Sequence, residues 1–267
     1  MNGTMHKLNT YDQYTNLVAS IYNMKTTMYM LPEEIKGYIR DEKLYYDNHR
    51  DTSLLLFIEH EQFFKLFVYT NTDEQLAVAR QQKPVVADIV YYERKGEGGI
   101  AEVLKKSGFE NLALYRQYSV RHEELILQEN GLGEYRVEFA TYEQIPVLLS
   151  ILSETFSPVS NDLPDEALLE KRVKENSVLC LISPSGEVCG CTQWMRNKET
   201  CQIKHVALIP QVRGMGLGKK LCTETFRKAN GKNYNTWVEE NNTVKQQIDA
   251  AFGYKFNGKC MLKLILE

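Results

Sequence analysis

Apolar positions in the second half of the chain change period in an orderly way, and the changes mark out the elements. "YRVEFAT" (135–141) predicts a short strand, and "YEQIPVLLSILSETF" (142–156) an amphipathic helix. "PDEALLEKRVKE" (164–175) predicts a second helix, with Pro164 in its first turn. "SVLCLIS" (177–183) and "VCGCTQWM" (188–195) flank "PSGE", which is hairpin chemistry. "CQIKHVALIP" (201–210) predicts a strand closed by Pro210. After it, Leu217, Leu221, Cys222 and Phe226 recur at helical spacing. "NYNTWVEENN" (233–242) predicts another strand, "TVKQQIDAAFGY" (243–254) a helix ended by Gly253, and "GKCMLKLIL" (258–266) the last strand. The order β-α-α-β-β-β-α-β-α-β implies an α/β (α+β) fold, a mixed sheet with helices on its faces.

The first half repeats part of this plan. "TYDQY" (10–14) answers "TYEQI" (141–145), "SLLLFIE" (53–59) answers "SVLCLIS", and Gly108-Phe109 answers Gly253-Tyr254. Three ordered landmarks suggest one supersecondary plan used twice, with domains at 1–128 and 133–267 and a link near "ENGLGEY" (129–135). The first half has "TNTDEQLAVARQQKP" (70–84), without glycine, where the second has "QVRGMGLGKKLC" (211–222).

That glycine stretch carries the chemistry. It sits on a strand-to-helix turn, where outward-pointing amides and the helix dipole favour an anion such as phosphate. A Walker-A loop fails at both ends, since Arg213 stands at its first glycine and Lys220 follows Lys219. A dinucleotide fingerprint fails at its third glycine, which is Lys219. The pattern satisfied is R-x-x-G-x-G, by Arg213, Gly216 and Gly218.

"VALIPQVRGMGLGKKL" (206–221) resembles the coenzyme-A-binding motif of the GCN5-related N-acetyltransferase (GNAT) superfamily. The next motif, with Val238, Asn242 and Gly253-Tyr254, is similar to that family as well. The resemblance covers 135–267. The first half resembles a degenerate second copy, as in tandem GNAT proteins, so two GNAT-like lobes are expected, each a mixed, mostly antiparallel sheet flanked by helices. What the resemblance implies is acetyl-CoA as cosubstrate, without a metal. Its pyrophosphate would lie on the amides of Arg213, Gly214, Met215, Gly216, Leu217, Gly218 and Lys219, the thioester and pantetheine on Val206, Ala207 and Leu208, with Asn242 also on the cofactor. The implied activity is N-acetyl transfer to a primary amine of a small molecule or peptide, by direct attack in a ternary complex. The alternative is an acyl-CoA-binding sensor without turnover.

Such a transfer must take a proton from the amine and return one to the thiolate. His205 and Glu239 are candidates for the base, His205 for its intrinsic pKa; packing or a phosphate contact is the other account of His205. The tyrosine that the family uses as acid is replaced by Asp249, which suggests contact with a cationic acceptor or, alternatively, a surface carboxylate. The aromatic runs "FVYTN" and "IVYYERK" of the first half either line an acceptor pocket or belong to the core.

Bulk properties trim the remaining classes. A net charge of −3, with 43% hydrophobic and 25% charged residues, fits a globular protein and argues against nucleic acid as partner. The first residues lack a signal-peptide core, and no apolar run approaches the roughly 20 residues of a membrane span. A cytoplasmic monomer or homodimer is expected. The six cysteines match no zinc spacing and are expected as small buried hydrophobes.

Overall fold

In the computed structural model, residues 5–49, 51–78, 81–127 and 133–267 are described. The link expected at 129–135 falls largely outside them. The chain divides into two compact units, residues 1–115 with 258–267, and residues 116–257.

The first unit contains β1 (His6–Lys7), α1 (Tyr11–Ala19), β2 (Lys25–Thr26), α2 (Pro32–Arg40), β3 (Leu44–Asn48), β4 (Ser53–Glu59), β5 (Phe64–Thr70), β6 (Val85–Tyr92), α3 (Gly99–Lys106) and the start of β7 (Glu110–Arg121). Its sheet pairs β1, β3, β4 and β5 antiparallel in that order, and β5 pairs β6 in parallel. The α2 and β3 segments are additions to the elements expected from the pattern. Between β5 and β6 the described residues form no helix.

The second unit contains β8 (Arg136–Phe139), α4 (Ile145–Thr155), α5 (Pro158–Asn161), α6 (Glu166–Lys174), β9 (Val178–Ile182), β10 (Val188–Asn197), β11 (Thr200–Leu208), α7 (Leu217–Ala229), β12 (Asn233–Glu239) and α8 (Thr243–Ala251). Strands β8 to β11 pair antiparallel in sequence, and β11 pairs β12 in parallel. The run of antiparallel pairs closed by one parallel pair thus occurs in both units. Pro164 stands outside α6, one residue before the N-cap; the cap is Asp165, whose carboxylate accepts from the Leu168 amide at 2.9 Å. Proline's fixed φ suits the extended approach to that cap as well as it suits a first turn.

The last strand, β13 (Lys255–Leu266), departs from the expected domain split. From Gly258 it belongs to the first unit. It pairs antiparallel with β6, from Lys259 opposite Tyr92 to Leu266 opposite Val85. The reason is packing: Leu262, Leu264 and Leu266 fill the core made by Leu55, Leu66, Val85, Ala87 and Leu104. Alternation along a strand reports which of its faces is buried, and leaves open which sheet receives it.

The second unit's sheet is covered on both faces. On one, α7 packs Leu217, Leu221 and Phe226 against Leu179, Ile203, Tyr234 and Phe252. On the other, α4 and α6 pack Leu148, Ile151, Leu152, Leu169 and Val173 against Val178, Cys180 and Ala207. All six cysteines are buried free thiols. Burial pushes Cys180 up to about 12 and Cys222 up to about 11, so both stay protonated and act as packing groups. Among the described residues no helix is long and apolar enough to cross a membrane.

Candidate acyl-coenzyme A site

The site is built where β11 and β12 part. Their pairing runs from Thr200 opposite Asn233 to Ile203 opposite Thr236 and stops. Strand β11 continues to Leu208 and β12 to Glu239. From Lys204 onward β11 therefore has no strand partner on its β12 side among the described residues. A β-bulge lies at the same point. On the β10 side Gln193 faces His205 and Trp194 faces Ile203, so Lys204 is an extra residue.

The bulge exchanges the two faces of β11. Before it, Cys201 and Ile203 pack on the α7 side. After it, Val206 and Leu208 lie on that side, while Ala207 joins the α4 side. His205 turns with Ala207, toward Phe156 and Asn161. The segment Val206–Leu208, expected to meet the thioester, thus runs along the opened edge.

Beyond Leu208 the chain makes a single 3-10 turn, Pro210–Val212, and reaches the glycines. Gly214 has φ +79° and Gly216 φ +78°, a region that L side chains avoid. A Cβ at either position would meet nothing within 4 Å, so the backbone there faces open space. The Arg213 guanidinium folds back and donates from Nε to the Leu208 carbonyl at 2.9 Å, which ties the turn to the strand end.

Arg213 itself leaves the expected anion nest, because its amide donates to the Pro210 carbonyl at 3.2 Å. The amide of Lys220 donates to Gly216 at 3.4 Å. Between them, Gly214, Met215, Gly216, Leu217, Gly218 and Lys219 have no acceptor among the described residues. Six consecutive free amides open α7, Met215 is exposed, and the helix dipole adds to their positive potential. The residues present fit a pyrophosphate.

Asn242 has a different task from the expected cofactor contact. It is the N-cap of α8, and its Oδ1 accepts from the Lys245 amide at 3.0 Å. This account is local and complete for that oxygen.

His205 is 6% exposed, with both ring nitrogens engaged. Nε2 lies 2.9 Å from the Asn161 carbonyl, which can only accept, so the proton is on Nε2. Nδ1, 2.7 Å from Gln193 Nε2, then accepts. Gln193 Oε1 in turn accepts from Arg172. Burial, only partly opposed by the Asn161 contact, holds the imidazole down at about 4. With no free lone pair, His205 braces α5 against the sheet, and the expected base role does not suit it.

Glu239 remains as the candidate base. It stands half-buried at the open end of β12, and its carboxylate has no hydrogen bond or ion pair among the described residues. Neighbouring Glu240 is committed to Arg116 at 3.0 Å.

Asp249 is neither at the surface nor available to an acceptor. It is 2% exposed, and Oδ1 contacts the Lys245 ammonium one turn earlier. Oδ2 is buried without a partner among the described residues, as is the Tyr254 hydroxyl. Burial raises the Asp249 pKa against the pull of Lys245, and burial together with Asp249 raises that of Tyr254. The sequence marks this pair only as a Lys–Asp spacing of four on one helix, which most often lies in solvent.

The comparisons with known proteins agree with this geometry. Residues 145–254 match the model of the acetyltransferase (GNAT) family. The second unit is a GNAT domain. Among solved structures, a tandem GNAT protein from the clavulanic acid biosynthesis pathway aligns with TM-score 0.59 at 12% identity, over 99% of this chain and 98% of its own. A GCN5-related N-acetyltransferase from Sphaerobacter thermophilus aligns with TM-score 0.59 at 11% identity, over 89% and 85%. A GNAT-family acetyltransferase from Colwellia psychrerythraea gives 0.55 at 12%, over 99% and 100%. At these identities the likeness is one of fold, and it extends over both halves of the chain. No curated protein matches in sequence.

Proposed function

We propose that the chain transfers an acetyl group from acetyl-CoA to a primary amine of a small molecule or peptide, by direct attack in a ternary complex. The observation that carries this reading is the run of six unpaired amides, Gly214 to Lys219, beside the parting of β11 and β12. The amides hold the pyrophosphate, and the pantetheine arm lies along Val206–Leu208. Glu239 takes the proton of the attacking ammonium, directly or through one water. Free β11 amides on the opened edge stabilise the oxyanion of the tetrahedral intermediate. The thiolate is protonated from solvent, since Asp249 is engaged with Lys245.

A second reading, an acyl-CoA sensor without turnover, draws support from position 249, where an aspartate held by Lys245 stands in place of the tyrosine that the family uses as acid. The two separate in one assay: the full chain with acetyl-CoA and a panel of amines. Amine-dependent release of free thiol, abolished by Glu239→Gln, supports the enzyme. Binding of acetyl-CoA without any release supports the sensor.

A further inference from the structure

One hairpin of the first unit carries a cluster that acyl transfer does not use. Strands β3 and β4 run antiparallel, with Asp47 opposite Leu55 and Asn48 opposite Leu54. The His49 amide then donates to the Ser53 carbonyl at 2.8 Å. Alternation sets Asp47, His49 and Ser53 on the sheet face of Leu55, which belongs to the core under α3. Asp47 is 7% exposed and Ser53 is fully enclosed. Asp47 Oδ2, His49 Nε2 and Ser53 Oγ are all shielded, and none has a hydrogen-bond partner among the described residues. Shielded polar atoms are nearly always satisfied, so three on one face of one hairpin point to a bound group.

The neighbours are committed elsewhere. The Thr70 hydroxyl, opposite Ser53 on β5, donates to the Thr52 carbonyl and accepts from the Thr72 amide. His6 packs its ring on Tyr46, which belongs to the other face. Asp51 is exposed, and Arg50 lies outside the described residues. Among the described residues no third histidine, cysteine or acidic side chain joins the pair, so the remaining donor is the Ser53 hydroxyl.

The spacing narrows the bound group. Asp47 Oδ2 and His49 Nε2 lie 3.5 Å apart. A charge-assisted hydrogen bond between them would close to about 2.7–2.9 Å. Two ligands of a tetrahedral zinc, each about 2.1 Å from the metal, stand roughly 3.4 Å apart, and at right angles in an octahedron about 3.0 Å. The observed separation is the tetrahedral one. An imidazole nitrogen beside a carboxylate suits zinc, whereas calcium and magnesium take oxygen ligands. The His49 side chain, 25% exposed, leaves an entry path.

We infer that Asp47, His49 and Ser53 hold one zinc ion, through Oδ2, Nε2 and the hydroxyl oxygen, with water as the fourth ligand. The inference is independent of the acetyltransferase reading, which uses none of these residues. An ion that binds the folded hairpin alone stabilises the folded chain.

The test is titration of the full chain, first stripped with a chelator, with Zn²⁺ and with Co²⁺ as a spectroscopic probe. Calorimetry should give one Zn²⁺ per chain, and Co²⁺ should give the intense visible absorption of a tetrahedral site. Asp47→Asn and, independently, His49→Gln should weaken zinc binding roughly tenfold or more, while His6→Gln should bind as wild type does. Zinc should raise the Tm of wild type and leave that of His49→Gln unchanged. Imidazole ¹H–¹⁵N spectra of the wild type keep the test independent of any variant's folding: zinc should shift the Nε2 resonance of one of the five histidines. Absence of zinc binding, a weak octahedral Co²⁺ spectrum, no shifted imidazole, or unchanged binding by a folded His49→Gln would each overturn the proposal.

Discussion

Lys245 and Asp249 face each other across one turn of α8, with the ammonium on Oδ1 and the second carboxylate oxygen buried and unpaired. The pair runs against two helical preferences. A cation in the first turn opposes the dipole, and lysine before aspartate is the weaker order at this spacing. Its value lies in burial: with Lys245 removed, Asp249 would be a charge without compensation. Lys245→Met should destabilise the fold by about 3 kcal/mol in urea unfolding at pH 7. Lys245→Met with Asp249→Asn should recover most of that loss.

The raised pKa of Asp249 fixes the pH dependence of that single variant. A carboxyl whose folded pKa lies above its unfolded value of about 4 favours folding at low pH, where it is neutral in both states, and loses that contribution as pH rises through the folded value. Lys245→Met should therefore gain stability relative to wild type as pH falls from 7 toward 5. Equal pH profiles for the two proteins would mean that Asp249 is not confined as described. Asp249→Asn should leave KM for a cationic amine within twofold of wild type, because the carboxylate is already occupied.

His205 has the opposite sign. Its folded value of about 4 lies below the ordinary 6.5, so its stabilising contribution is present above about 6.5 and disappears as pH falls through 4. The difference corresponds to roughly 3 kcal/mol between neutral and acid conditions. Urea unfolding at pH 7 and pH 4.5 should show a steeper acid loss for wild type than for His205→Gln. The pH–rate profile of acetyl transfer, measured between 5 and 8, should lack a limb assignable to His205.

The buried thiols predict slow chemistry. With Cys180 and Cys222 held protonated and all six side chains enclosed, iodoacetamide at pH 7.5 should label the native chain far more slowly than the urea-unfolded one. Rapid labelling of one site in native protein would show that a cysteine is more accessible than its packing indicates.

Much of the GNAT domain was legible because its signals are local. Glycines at positive φ, a proline just past β11 and helical spacing after Leu217 all reside in one stretch, from Pro210 to Phe226. Other features depend on partners distant in sequence. The bulge at Lys204 arises from the register of β11 against β10, and nothing in "IKHVA" announces it. It is this bulge that turns His205 away from the α7 side. The placement of β13 in the first unit depends on which apolar core its leucines meet. Asn242 was readable as a helix cap from its position before "TVKQQ", a signal masked by its match to a family motif. The Asp249 environment required knowing that Tyr254 and Cys222 close over the same spot.

The central claim is that one phosphate-binding turn, in the second half of the chain, holds the coenzyme. Among its described residues the first unit forms no helix between β5 and β6, where α7 stands in the other, and the sequence there, 70–84, holds no glycine. The direct measurement is calorimetric titration of acetyl-CoA into the full-length wild type and into Gly216→Val. A valine at φ +78° is strained by about 1–2 kcal/mol and fills the space the pyrophosphate needs, without striking other protein atoms. One molecule bound per wild-type chain, and none per variant chain with unchanged circular dichroism, is the predicted result. Two equivalent sites, or a variant that binds as wild type does, would contradict the account.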